Sequence, residues 1–173
     1  MAYPGTDAIG FTGSPRTGKH IAQRAAGKPL LLELGGNGPT IVLDDADFDI
    51  VTSRVANGCF FNAGQVCSAT ERIRVQRSIH NELIDRLVKA AQAVHLGNPF
   101  DPATTMGPLN NQPTAEKVDR HLADSAAKGA VIIFGGRRVP TRQTWQIAAI
   151  ITIGMLTLML LALVFLAEWV ILS

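Results

Sequence analysis

Apolar positions recur at two intervals along this chain, and the interval sets the element each stretch is expected to form. Short runs bounded by turn residues mark strands: residues 8–11 around Ile9 and Phe11, the continuous run 30–34, residues 40–43, Ile73-Arg74-Val75, and residues 130–134. The continuous run Leu30-Leu31-Leu32-Glu33-Leu34 is expected to be a buried strand. Helical spacing places Phe48, Val51, Val55 and Cys59 on one face. It does the same for Leu83, Ile84, Leu87, Val88 and Ala91 in a helix from 79 to about 94. A further helix is expected from Ser14, an N-cap followed by Pro15 at the first helical position, to about Ala26. Asp44, Asp45 and Asp47 crowd the start of the 48–59 helix, where the helix dipole favours negative charge. A weaker helix spans 115–128, and a Gly- and Pro-rich loop fills 96–108. Strands and helices alternate, so the expected fold class is α/β.

From Gln146 onward the pattern breaks, and Glu168 is the last remaining charge. Residues 147–172 are almost wholly apolar. As a helix they would measure roughly 39 Å, against about 30 Å of bilayer hydrocarbon. Arg137, Arg138 and Arg142 precede the segment, and Trp145 and Trp169 lie near its ends. Such flanks predict a single C-terminal transmembrane helix with the N-terminal part on the cytoplasmic side. A buried core helix is the alternative, which leaves the chain cytoplasmic. No signal peptide opens the chain.

The 173 residues are 47% hydrophobic and 17% charged, with a net charge of +2. No basic stripe interleaved with aromatics is present, which argues against nucleic acid as a partner. Cys59 and Cys67 have neither disulfide-framework nor zinc-site spacing, and His20, His80, His95 and His121 are scattered, so no metal is expected. Cys59 reads as a buried core thiol. Cys67 is different, because it closes the turn Asn62-Ala63-Gly64-Gln65 ahead of a strand. A thiol there and a carboxylate at Glu33 are the residue types that covalent catalysis on a carbonyl requires. They stand 34 positions apart, and no periodicity brings them together.

Five stretches, in order, carry a resemblance: Tyr3-Pro4; Phe11-Thr12-Gly13-Ser14 with Gly18; Leu32-Glu33-Leu34-Gly35-Gly36; Phe61-Asn62-Ala63-Gly64-Gln65-Val66-Cys67; and Gly97-Asn98-Pro99 with Met106-Gly107-Pro108-Leu109. From about residue 3 to 138 the chain resembles the NAD(P)-dependent aldehyde dehydrogenase family. The resemblance implies Cys67 as nucleophile, its backbone N–H as part of an oxyanion hole, and Glu33 as the base that activates water. It also implies NAD or NADP as cofactor, held by Phe11, Thr12, Gly13, Ser14, Gly18, Leu34 and Gly35, with a small-molecule aldehyde as substrate; the oligomeric state stays open, a homo-oligomer among the alternatives.

The expected organisation follows from that resemblance. Residues 1–35 end a cofactor-binding domain, 36–138 form part of a catalytic domain, 139–146 are a linker, and 147–172 are a membrane helix unrelated to the family. Family members are much longer, so the chain is expected to be a central fragment, inactive alone. The competing readings are a membrane-anchored, non-catalytic remnant and the product of a shifted reading frame. Asn37 and Gly38 depart from the lysine and small polar residue usual after Gly36.

Overall fold

Short apolar strands need partners for their backbone groups, and here each of the first four finds one parallel neighbour. In the computed structural model, which describes residues 3–139 and 154–155, β1 (Ile9–Gly13) pairs in parallel with β2 (Leu30–Leu34). The register sets Phe11 beside Leu32, Thr12 beside Glu33 and Gly13 beside Leu34. Helix α1 (Pro15–Arg24) makes the crossover between them. Its start matches the sequence: the Ser14 side chain accepts from the Thr17 N–H and Pro15 opens the helix.

A second parallel pair joins β3 (Pro39–Val42) to β4 (Arg72–Val75), with Thr40 beside Ile73 and Val42 beside Val75. Between them runs α2 (Phe48–Phe60), capped by Asp47, whose Oδ1 accepts from the N–H groups of Asp49 and Ile50. Helix α3 (His80–Gln92) follows β4. The predicted stripes of both helices meet here. Val42, Val55, Leu83 and Leu87 are buried together, and Phe48, Val51, Cys59, Ile73 and Val75 pack around them. Arg86 of α3 spans the two helices, bonding to Asp49 and Glu82 with its guanidinium 5.0 Å from the centre of the Phe48 ring.

The loop 96–108 closes on itself. Leu96 and Met106 form an isolated bridge, and the His95 carbonyl accepts from the N–H groups of Thr105 and Met106. It leads to Leu109 and to α4 (Gln112–Ala127). A second small core gathers Leu109, Ala115, Ala63 and Val118.

Four expectations change. Strand β2 is not buried: Leu31 is 65% exposed, because β1 is its sole strand neighbour among the described residues. Helix α4 starts at Gln112 rather than 115, since the Asn111 side chain caps the Thr114 N–H and Pro113 fits the first turn. The apolar run 130–134 yields only β5 (Val131–Ile132), ended by Gly135 and Gly136 at positive φ. It pairs antiparallel with β6 (Gly154–Met155). That two-residue strand differs from the helix expected over 147–172; the rest of that segment, and the linker beyond 139, lie outside the described residues. No helix of the described residues is long and apolar enough to cross a membrane.

Candidate active site

Residues 61–64 form a tight turn directly after α2. Within it Asn62, Ala63 and Gly64 all take positive φ, at 50°, 57° and 74°. Left-handed backbone is unfavourable for an alanine, so contacts elsewhere must hold it. The Asn62 carbonyl accepts from the Gln65 backbone N–H at 3.1 Å and from its side-chain Nε2 at 2.9 Å. Asn62 Nδ2 in turn donates to the Gln65 carbonyl. Gln65 Oε1 accepts from the Asn110 N–H at 2.9 Å, across 45 positions of sequence.

Cys67 lies two residues further on, with its thiol exposed. Downstream, the Thr70 N–H donates to the Gly58 carbonyl, and the Thr70 and Thr40 hydroxyls stand 3.3 Å apart. The loop bearing Cys67 is thus fastened on both sides. Its backbone N–H has no hydrogen-bond partner among the described residues. Cys59 differs in kind. Its Sγ donates to the Thr70 carbonyl at 3.2 Å, and burial pushes its pKa up to about 11. The inert role expected for Cys59 matches this placement, with the thiol half-buried rather than fully so.

Glu33 sits on β2 with its side chain exposed and, among the described residues, unpartnered. No hydrogen bond among the described residues links its carboxylate to the Cys67 thiol. What joins the two segments is Arg72, which opens β4 after the cysteine loop. Its Nε and Nη2 donate to the carbonyl of Asn37, four residues beyond Glu33, at 3.1 and 2.7 Å.

The residues expected around a cofactor do come together. Gly13 pairs with Leu34, and the Gly35 N–H donates to the Gly13 carbonyl. Gly18 packs so tightly on Leu34 that a Cβ there would lie 2.5 Å from Leu34 Cδ2. Thr12, Gly13 and Ser14 are exposed at the mouth of α1, and the Phe11 ring lies against Gly13. Pro15 carries no N–H and Ser14 takes that of Thr17, so the helix start still offers the Arg16 N–H to an anion. A Cβ at Gly35 would meet nothing within 4 Å, so packing among the described residues does not itself demand glycine there. Gln65 and Asn110 are the residues sequence reasoning missed as a pair.

A profile described as the aldehyde dehydrogenase family matches residues 1–161. The chain belongs to the aldehyde dehydrogenase family. The match reaches well into 147–172, so the expectation that this apolar segment is foreign to the family is not supported. The chain is similar to peroxisomal aminoaldehyde dehydrogenase 1 of Pisum sativum, with 41% identity over 139 residues, 79% of this chain and 28% of that protein. It is similar to betaine aldehyde dehydrogenase of Bacillus subtilis, with 42% identity over 134 residues, 76% of this chain and 27% of the other. Mitochondrial succinate-semialdehyde dehydrogenase of Rattus norvegicus is 41% identical over 138 residues, 78% of this chain and 26% of its own length. Among solved structures, betaine aldehyde dehydrogenase of Staphylococcus aureus in complex with NAD+ superposes with a TM-score of 0.76 at 41% identity. That superposition covers 79% of this chain and 27% of the aldehyde dehydrogenase. The partial aldehyde dehydrogenase fold expected from the sequence is thereby supported. The chain spans about 28% of the length of the curated relatives it matches.

Proposed function

We propose that this chain carries the nucleophile and the general base of an NAD(P)-dependent aldehyde dehydrogenase. The observation that carries the reading is the exposed Cys67 thiol held just beyond a left-handed turn, on a loop fastened at both ends. In this reading residues 1–35 close a cofactor-binding domain and 36–138 belong to the catalytic domain.

The Cys67 thiolate attacks the aldehyde carbon and forms a C–S bond, and the carbonyl oxygen becomes an oxyanion. The Cys67 N–H, without a partner among the described residues, would receive that charge, since a donor aimed at a developing oxyanion stabilises it. A bound nicotinamide would supply the acceptor for the hydride of the former aldehyde carbon, which would leave a thioester on Cys67. Glu33 then takes a proton from water, the resulting hydroxide adds to the thioester, and the C–S bond breaks to release a carboxylic acid. Gly13, Ser14 and Gly18 present the α1 start to the pyrophosphate, with Phe11, Thr12 and Leu34 as the adjoining walls. Gly35, with open space where a Cβ would stand, admits the nicotinamide close to the backbone. The described residues leave Cys67 and Glu33 open to solvent, so aldehyde oxidation is assigned to the site as walled by further parts of the family fold, and the chain alone is expected to lack dehydrogenase activity.

An activated ester such as p-nitrophenyl acetate delivers an acyl group to a thiolate without any hydride step, so it tests both residues in the chain as it is. Mass spectrometry is expected to find one acetyl group, on Cys67, absent in Cys67→Ala. The thioester is expected to persist at least ten-fold longer in Glu33→Gln. Acylation that survives Cys67→Ala overturns the nucleophile assignment, and an unchanged thioester lifetime in Glu33→Gln overturns the base.

A further inference from the structure

The turn ahead of Cys67 adopts a conformation its own residues disfavour, and one residue, Gln65, takes part through backbone and side chain in the bonds that hold it. Asn62 and Ala63 are both left-handed. The Gln65 backbone and side chain bring two donors to the Asn62 carbonyl, and its own carbonyl accepts from Asn62 Nδ2. The same side-chain amide has a second end. Its Oε1 accepts from the Asn110 N–H, one residue before the Asn111 cap of α4. Directly beneath, Ala63 packs into the small core of Leu109, fully buried Ala115 and Val118.

We propose that Gln65 is a positioning residue for Cys67, locking the left-handed turn and docking it onto the start of α4. The inference rests on the reading of Cys67 as the nucleophile. The amide is suited to the task because it offers a donor and an acceptor on one planar group. A carboxylate keeps only the acceptor and a thioether offers no N–H donor. Gln65 touches no substrate in this scheme. It acts by restricting where the thiol two residues away can stand, and misplacement of a reacting atom by about 1 Å costs on the order of a hundred-fold in rate.

The test is the mobility of a nitroxide attached to Cys67, read from its electron paramagnetic resonance line shape in the full chain. Cys59, raised to about 11, stays unlabelled near neutral pH, and Cys67→Ala checks this. Gln65→Met is expected to shorten the label's rotational correlation time several-fold. Leu83→Ala, which opens the core of α2 and α3, is expected to leave the line shape unchanged. If Gln65→Met fails to fold, Gln65→Glu decides, with an intermediate narrowing expected from loss of the Nε2 donor alone. An unchanged line shape in the folded Gln65 variant, or equal narrowing in Leu83→Ala, overturns the proposal. Failure of the acylation test, by contrast, removes the nucleophile and leaves this line shape as it is.

Discussion

Arg72 holds the Asn37 carbonyl with two nitrogens, tying the segment after Glu33 to the strand after Cys67. The backbone strengthens the same tie, since the Arg72 N–H donates to the Gly38 carbonyl at 3.4 Å. The contact is exposed, which lowers its worth. Arg72→Met is expected to cost about 0.5–1.5 kcal/mol and to raise amide exchange at Asn37 to Thr40. Exchange measured by mass spectrometry checks this, and unchanged protection there counts against the tie.

The two thiols should separate by pH. At pH 8 a pKa of about 11 leaves Cys59 as thiolate in on the order of one molecule per thousand. Iodoacetamide on the native chain is therefore expected to label Cys67 alone, and both cysteines only in denaturant. The folded state holds the Cys59 proton more tightly than the unfolded state, whose thiol titrates near 9. The stability linked to that proton is present below pH 9 and is lost as pH rises toward 11. Thermal melts from pH 8 to 11, compared with Cys59→Ala, read this loss.

Gly18→Ala sets two effects against each other. Alanine favours the helix by about 1 kcal/mol, while overpacking costs about 1–3 kcal/mol. With Leu34 Cδ2 and Cδ1 only 2.5 and 2.9 Å from the new Cβ, overpacking should win and lower the melting temperature. Leu34→Ala in the same chain is expected to restore much of the loss of Gly18→Ala, a coupling that a double-mutant cycle measures.

Gly64→Ala probes the turn itself. Its Cβ would meet the Cys59 carbonyl at an ordinary 3.5 Å, so sterics between neighbours are not the issue. The φ of 74° is, and the expected cost is about 1–2 kcal/mol in a denaturant titration.

Much of this was legible in the sequence where a short-range rule applies. The stripe Phe48, Val51, Val55 and Cys59 lies against the stripe of α3 as its spacing requires, and Ser14 with Pro15 opens α1 where expected. The Asn111 and Pro113 start of α4 follows the same kind of rule and was overlooked because the apolar pattern there is weak. The bond from Gln65 to Asn110 follows no such rule. It joins residues whose approach depends on how α2 and α4 frame the turn, and polar pairs carry no period. Exposure also escaped the pattern: Leu31, 65% exposed, lies in a run read as buried, because strand burial depends on neighbours a local run does not encode.

Between Gln65 and Thr70 stand only four residues, and the Ala69 N–H donates to the Val66 carbonyl within them. Two residues of extended backbone reach at most about 7 Å, so Cys67 cannot travel further than that from its nearer anchor. The thiol behaves as the middle of a short bridge between fixed piers. Any electrophile must be delivered to it, and selection among electrophiles belongs to whatever surface lines the approach.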